Sequence, residues 1–214
     1  MDRGVSEARV AELQAELRRH NRLYYVDATP EISDREYDAL YDELLRLESA
    51  FPDLVTPDSP SQRVGGEPLA EFQTRPHAVP MLSLGNTYDD DDLRKFHEYI
   101  VRGLGHDDFA YVVEPKVDGV SISIRYENGL LVEALTRGNG VEGDDVTANI
   151  RTIPGVPLRL DTASPPEVFE VRGEVYMSKA GFAELNARRD EAGESAFANA
   201  RNATAGTLKL LDSR

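Results

Sequence analysis

The stretch VSISIRYENGLLVEALT, residues 120–136, decides the fold of the larger part of the chain. In its first half every second residue is apolar, from Val120 to Tyr126, and serine and arginine occupy the positions between them. Asn128 and Gly129 follow, and this pair favours a type I′ turn between antiparallel strands. The stretch therefore predicts a β-hairpin with one apolar face.

A further strand is predicted at residues 169–177. Glu170, Arg172 and Glu174 lie on one of its faces, because strand side chains alternate with a period of two. A helix is predicted directly after Ser178, a residue type that favours helix N-caps. Helices mixed with mostly antiparallel strands predict an α+β fold.

Two helices are predicted ahead of the sheet. The first runs from Ser6 onward with Glu7 near its N-terminus, and its apolar residues recur at helical spacing: Val10, Leu13, Leu17 and Tyr24. The second begins at a capping box, residues 33–36, and ends at Phe51-Pro52. Its apolar stripe comprises Tyr37, Leu40, Tyr41, Leu44 and Leu47.

A domain boundary is predicted after these helices. The Pro-rich stretch 56–60, running to Gly65-Gly66, favours a linker. We therefore expect one domain at residues 1–65 and a second at residues 66–214. A third helix is predicted from the acidic run 89–92 to Gly105, since acidic residues suit a helix N-terminus and glycine a C-terminus.

The composition limits the chemistry. The chain has no cysteine, which excludes disulfides, thiol nucleophiles and cysteine-ligated zinc. Its net charge is −15, so this chain alone is not expected to wrap a phosphate backbone. It contains no apolar run of about 18 residues and no secretory signal. We expect a monomeric cytoplasmic protein without membrane association.

Two segments suggest different functions. Gly138 to Gly143 fits the pattern G-x-G-x-x-G of nicotinamide oxidoreductases, but it follows a hairpin arm and carries carboxylates where a pyrophosphate would lie, so a turn is favoured. Lys116 lies between Glu114 and Asp118, where an isolated lysine would favour a local salt bridge. A reactive site becomes the better interpretation because Arg137 ends the paired strand and Glu174 lies on a neighbouring one.

These residues form motifs that resemble the adenylation domain of bacterial NAD-dependent DNA ligases. The motifs are Lys116-Val117-Asp118-Gly119, Thr136-Arg137-Gly138-Asn139-Gly140, Arg172-Gly173-Glu174-Val175 and residues 199–206. Tyr24-Tyr25 and residues 34–38 resemble the helical subdomain that binds the nicotinamide mononucleotide (NMN) half of NAD, and residues 59–65 and 80–84 match the connecting segments. The resemblance implies a helical subdomain followed by a nucleotidyltransferase core of ATP-grasp-like type.

The resemblance also implies residue roles. Lys116 would attack the α-phosphorus of NAD, release NMN and retain AMP, which would pass to the 5′-phosphate of nicked double-stranded DNA before strand closure. NMN contacts are implied for Tyr24, Tyr25, Asp34, Arg35, Glu36, Tyr37 and Asp38. Contacts to the adenylate half are implied for Ser83, Leu84, Glu114, Asp118, Gly119, Arg137 and Glu174, and nucleic-acid contacts for Arg201 and Lys209.

A cation is implied as well. A lysine is nucleophilic only as the free amine, and Glu114 and Asp118 favour the protonated form, so Mg²⁺ or Mn²⁺ is expected to offset them. No residue is assigned to this metal.

Two further lysine-bearing motifs of the family, one of them Asp-Gly-Val-Val-x-Lys, have no match, because the only Asp-Gly here is Asp118-Gly119. We therefore expect an incomplete core, a truncated ligase that does not seal nicks alone. The alternative is a non-catalytic module that binds NAD or a partner.

Overall fold

A computed structural model describes residues 3–25, 27, 29–63 and 71–213, apart from the side chains of Tyr25 and Asp34. Two helices open the fold, α1 (Arg3–Tyr25) and α2 (Asp34–Ala50). They bury a shared core of Val10, Leu13, Leu17, Leu44 and Leu47. The predicted capping box is confirmed, since Ser33 and Glu36 each bond the backbone of the other.

The first helix departs from its prediction at both ends. It begins at Arg3 rather than Ser6, so Glu7 lies beyond the first turn. Ser6 is buried inside the helix. Tyr24, assigned to the apolar stripe, is 48% exposed, because it lies at the last turn of α1, where the described structure leaves an open pocket.

The Pro-rich stretch after α2 is packed, which corrects its interpretation as a linker. Two short 3₁₀ turns, Pro52–Leu54 and Pro60–Gln62, flank Asp58, which is only 3% exposed. A buried carboxylate needs ionic partners, and Oδ2 of Asp58 accepts from Arg159 Nε at 2.6 Å and Arg18 Nη1 at 3.3 Å. Gly65 and Gly66, where the domain boundary is predicted, lie outside the described residues.

Arg63 joins the same stretch to the second part of the chain. Its Nη1 donates to the carbonyl oxygens of Arg151, Ile153 and Val156 at 3.1–3.3 Å. These carbonyls lie at and just after the end of a short helix, and the last carbonyls of a helix lack partners within it. The Ile153 carbonyl also accepts from the Val156 backbone N–H, so the arginine adds to the backbone bonding of this turn.

The remaining elements, in chain order, are β1 (Thr74–Pro76), α3 (Asp90–Leu104), β2 (Val120–Glu127), β3 (Leu130–Thr136), β4 (Glu142–Asp144), α4 (Thr147–Arg151), β5 (Val168–Val175), α5 (Lys179–Glu191) and α6 (Ala200–Leu208). The main sheet has the order β3-β2-β5, and β1 pairs with β4. All strand pairings in the described ranges are antiparallel, which confirms the α+β prediction. The structure has β5 ending at Val175, two residues before its predicted end.

The predicted hairpin is confirmed. Asn128 and Gly129 have φ values of 49° and 83°, as both central residues of a type I′ turn require. The apolar face of β2 packs into a core with β3, α4 and α6 residues: Ile122, Ile124, Tyr126, Leu131, Ala134, Val146, Ile150 and Leu208. Burial raises the pKa of Tyr126 to about 12, and its hydroxyl donates to the carbonyl of Pro157 at 2.9 Å.

The glycine-rich segment after β3 is a turn, as the hairpin context indicates. Gly138 and Gly140 have φ values of 54° and 93°, and the chain then enters β4, which pairs with β1. No parallel strand and crossover helix surround it in the described structure, so the oxidoreductase interpretation is wrong.

The third helix is also confirmed, with Asp89 as its N-cap and Gly105 in the left-handed conformation after its end. It buries none of its residues, and Leu93, Phe96 and Leu104 are exposed. Within the described ranges, none of the helices has the length and apolar character needed to cross a membrane.

We predict that Asp58→Asn lowers the free energy of unfolding at pH 7 by about 2–3 kcal/mol, below the loss for a fully buried pair because both arginines are partly exposed. Burial alone would raise the pKa of Asp58, but hydrogen bonds from Arg159 and Thr56 and the charges of Arg159 and Arg18 outweigh it, so the pKa is lowered. The stabilisation is therefore present above about pH 4, the unfolded pKa, and is lost as the pH falls through the folded value.

Urea unfolding at pH 7 and at pH 3 measures both effects. The control is Asp53→Asn, which removes an exposed carboxylate paired with Arg3 and should cost less than about 1 kcal/mol. Equal effects of the two substitutions at pH 7 would contradict the prediction.

Candidate active site

A pocket of about 380 Å³ opens at the junction of α1 and α2. Three residues predicted to contact NMN line it: Tyr24, Tyr37 and Asp38. The Tyr37 ring lies 6.4 Å from that of Tyr41, with an angle of 12° between the two planes, and the Tyr37 hydroxyl donates to Asn21 Oδ1 at 3.2 Å. The pocket thus combines aromatic faces with a carboxylate.

The pocket also contains two residues that the sequence reasoning missed, His20 and Asn21. Both are at least nine-tenths buried. The Nδ1 atom of His20 is enclosed without a hydrogen-bond partner among the described atoms, and Nε2 lies 3.9 Å from Glu16 Oε1. Helical spacing was the available signal, since residues 20 and 24 lie four apart and share a face of α1.

Two other predicted NMN contacts do not line the pocket. Glu36 is engaged in the capping box, where bonds from the Ser33 backbone and then the Ser33 hydroxyl lower its pKa. Arg35 is exposed and is not among the lining residues. The side chains of Tyr25 and Asp34 lie outside the described part of the structure.

Lys116 lies in a segment without regular secondary structure that leads into β2. Its side chain is exposed and makes no hydrogen bond or ion pair within the described residues. Glu114 is exposed as well. Because no described residue is paired with the amine of Lys116, this side chain can reach a bound ligand without first breaking an ion pair within the described structure.

The end of this segment is anchored by Glu174 on β5. Its Oε1 accepts from the Gly119 backbone N–H at 3.1 Å, and its Oε2 accepts from the Ser121 hydroxyl at 2.8 Å. Gly119 is buried, and a Cβ added there would lie 2.1 Å from the Val175 carbonyl oxygen. The close approach of the backbones explains why glycine follows Asp118.

Arg137 brings a third segment to this region. Its backbone N–H donates to the Ser121 carbonyl at 3.1 Å, and its Nη1 reaches Ser83 Oγ at 3.4 Å. Leu84, the neighbour of Ser83, is 77% exposed and contributes no buried contact. The structure therefore brings Ser83, Arg137 and Glu174 to one end of β2, whereas Leu84 and Glu114 project into open space.

The segment before Ser83 is fixed by two features. Arg172 on β5 donates to the carbonyl oxygens of Val79 and Pro80. Met81 is buried, and its backbone N–H donates to the Gly140 carbonyl at 2.8 Å. A Cβ at Gly140 would lie 2.9 Å from the Met81 carbonyl oxygen, so the turn needs glycine both for its φ and for this approach. Sequence reasoning assigned no positioning role to Arg172.

The two residues predicted to contact nucleic acid are paired with acids. Arg201 lies in the first turn of α6 and reaches Asp118 Oδ1 at 3.4 Å. Lys209 follows α6 and reaches Asp144 Oδ2 at 2.6 Å. Each cation keeps more than half of its side-chain surface exposed, so both remain accessible to a phosphate.

Comparison with known proteins adds to this geometry. Residues 69–214 match the family model of the NAD-dependent DNA ligase adenylation domain. The chain belongs to this family. Residues 4–65 of this ligase-family chain match a second model, the DNA ligase-like, N-terminal NAD⁺-binding domain. The family expected from the sequence motifs is thereby confirmed.

Curated relatives of this ligase-family chain carry the name DNA ligase. The protein of Geobacter metallireducens is 54% identical over the whole chain, which covers 32% of that relative. The protein of Rubrobacter xylanophilus is 56% identical in an alignment that covers 96% of this chain and 30% of that relative. The protein of Brevibacillus brevis is 51% identical in an alignment that covers 99% of this chain and 31% of that relative. The chain spans about a third of the length of the curated relatives it matches.

No group of three or more metal-ligating side chains that could hold a metal ion is found in the described ranges of this ligase-family chain.

We predict that Gly119→Ala lowers the free energy of unfolding by about 1–3 kcal/mol, because the added Cβ collides with backbone rather than with a movable side chain. Gly173→Ala on β5 is the matched control, since a Cβ there meets nothing within 4 Å. It should change stability by less than about 1 kcal/mol, and alanine in a strand is favoured over glycine. Urea unfolding of the two variants decides the comparison, and equal losses would refute the steric explanation.

Proposed function

We propose that the chain carries the NAD-reacting part of an NAD-dependent DNA ligase, with residues 1–65 binding NMN and residues 66–214 carrying the adenylation chemistry. The observation that carries the proposal is a combination of two features. The helical pair has a pocket lined by tyrosines and a carboxylate, and the second part of the chain has an exposed lysine, Lys116. The residues that follow this lysine are bonded to Glu174 on β5. The two family matches support the same division of roles.

The helical pocket suits the nicotinamide end of NAD. Its pyridinium ring is cationic, and the ring faces of Tyr24 and Tyr37 attract cations. Asp38 supplies oxygen atoms for ribose hydroxyls or for the carboxamide amine. We propose that Tyr25 and Asp34 complete the environment of NMN. Arg35 and Glu36 do not line the pocket, and we propose that they act from outside it, Glu36 by capping α2 and Arg35 from the exposed surface.

Lys116 is the proposed nucleophile. Its Nζ forms a bond to the α-phosphorus of NAD, the bond from that phosphorus to the oxygen bridging the NMN phosphate breaks, NMN departs, and the amine loses its proton to solvent. The product is a lysine-AMP phosphoramidate. Arg137 supplies positive charge near the developing phosphoryl charge, which preorganised cations stabilise.

The remaining residues are proposed to hold the adenylate. Glu174 and Gly119 position the backbone that leads from Lys116 into β2, and Ser83, Leu84, Glu114 and Asp118 contact the nucleoside or its phosphate. Mg²⁺ or Mn²⁺ would offset the carboxylates, without an assigned protein ligand.

The later steps concern DNA. AMP passes from Lys116 to the 5′-phosphate of a nick, and the adjacent 3′-hydroxyl displaces it. We propose that Arg201 and Lys209 contact the phosphates, that the protein acts as a monomer, and that it resides in the cytoplasm.

The proposal predicts that the 214-residue chain, incubated with NAD and Mg²⁺, takes up AMP slowly and only on Lys116. Uptake is expected to be slow because two further lysine-bearing motifs have no match in the sequence, and the loss of even one preorganised donor commonly costs about a hundredfold in rate. Intact-mass measurement followed by peptide mapping detects the adduct.

Lys116→Ala and Lys116→Arg should form no adduct, since guanidinium stays protonated and is a poor nucleophile. Lys95→Ala, which removes an exposed lysine of α3, should react like the parent chain. An adduct on another residue, or in either Lys116 variant, overturns the assignment. Binding of NAD without any adduct would favour the non-catalytic module.

We also predict that the chain alone does not join nicked duplex DNA. Holding a duplex relies on a basic surface, whereas this chain has a net charge of −15 and pairs Arg201 and Lys209 with acids. A denaturing gel after incubation with nicked duplex, NAD and Mg²⁺ measures joining. Joining that disappears in Lys116→Ala would contradict this expectation.

A further inference from the structure

The pocket between α1 and α2 has an unbalanced charge. Glu31 and Asp38 are the acidic residues that line it, and among its described lining residues there is no lysine or arginine. Glu31 is paired with Arg19. The carboxylate of Asp38 makes no hydrogen bond or ion pair within the described residues. Among the described residues that line the pocket, the negative charge that Asp38 presents to a ligand is therefore uncompensated.

The histidine of the pocket does not remove this imbalance. The Nε2 atom of His20 lies 3.9 Å from the carboxylate of Glu16 on the same helix, and Nδ1 is enclosed. Any positive charge on the ring would therefore be attracted first to Glu16. The ring contributes to the wall but offers no free cation to a ligand.

We propose that this pocket selects its ligand by charge, accepting a pyridinium ring that carries a neutral carboxamide and disfavouring the same ring with a carboxylate, and that Asp38 is responsible. The inference rests on the proposed function of the pocket as the NMN site. Like charges repel, and at a partly exposed site the repulsion is reduced by solvent and by salt within about 10 Å at 0.1 M ionic strength. We expect a preference of about tenfold at low salt.

The two probes are nicotinamide mononucleotide and nicotinic acid mononucleotide, which differ only in the amide and the carboxylate. Each is titrated into the 214-residue chain by calorimetry at 0.05 M and 0.5 M salt. The parent chain should bind the amide about tenfold more tightly at low salt, and the ratio should shrink at high salt.

Three variants separate charge from shape. Asp38→Asn keeps the volume and removes the charge, so the ratio should fall toward one through improved binding of the acid. Asp42→Asn makes the same change one turn further along α2, outside the pocket lining, and should leave the ratio unchanged. Tyr24→Ala should weaken both probes by a similar factor.

The outcomes distinguish the two levels of the proposal. Equal affinities in the parent chain, or an unchanged ratio in Asp38→Asn, overturn selection by this charge and leave the pocket assignment standing. If neither mononucleotide binds the parent chain, the pocket assignment fails, and the inference fails with it.

Discussion

The arrangement of the segment that leads from Lys116 into β2 depends on two hydrogen bonds that the carboxylate of Glu174 accepts. The carboxylate accepts from a backbone N–H at Gly119 and from a hydroxyl at Ser121, and so joins the start of β2 to its partner β5. Hydrogen bonds to a charged group contribute about 1.5–3 kcal/mol, roughly twice those between neutral groups. Without this anchor, the described contacts that fix the backbone between Lys116 and β2 would be the strand pairing that begins at Val120 and the exposed ion pair of Asp118 with Arg201.

The helical pair is connected to the sheet by a second set of polar contacts. Asp58 lies between Arg18 of α1 and Arg159, while Arg63 donates to three carbonyls at and just after the end of α4. Such contacts depend on direction and distance, whereas apolar packing tolerates sliding. They therefore specify how the pocket-bearing helices attach, although apolar burial supplies most of the stability of each part.

Sequence signals that act within a few residues predicted several helices and strands. The parts of the fold that depend on contacts between distant residues were not predicted. The capping box, the Asn-Gly turn and the strand alternation were sufficient for α2 and the hairpin, because each acts within a few residues. The helices α4 and α6 and the strands β1 and β4 escaped prediction, since each is short and is stabilised by neighbours distant in sequence. The burial of Asp58 depends on Arg159, about a hundred residues away, so a proline-rich stretch was interpreted as a linker.

The same distinction applies to the candidate site. Motif spacing placed Glu174 and Arg137 near Lys116, and both lie at one end of β2. His20 was missed because its one sequence signal, a spacing of four residues from Tyr24 on the same helix, is too common to indicate a site without the pocket. Glu114 and Leu84 were expected in a pocket, yet they are exposed, because the described residues on that side provide nothing to cover them.

The cations proposed to contact phosphates are already paired, and this pairing matters for how they could act. Arg201 lies at Asp118 and Lys209 at Asp144. Both cations are about half exposed, and such pairs near the surface contribute only about 0–1 kcal/mol. A phosphodiester carries the same single negative charge as a carboxylate and also offers several acceptor oxygens, so exchanging one partner for the other costs little. Exchange at Arg201 would also release Asp118, two residues from Lys116. Phosphate contact at α6 and the electrostatic environment of Lys116, the proposed nucleophile, would therefore be linked through one weak ion pair.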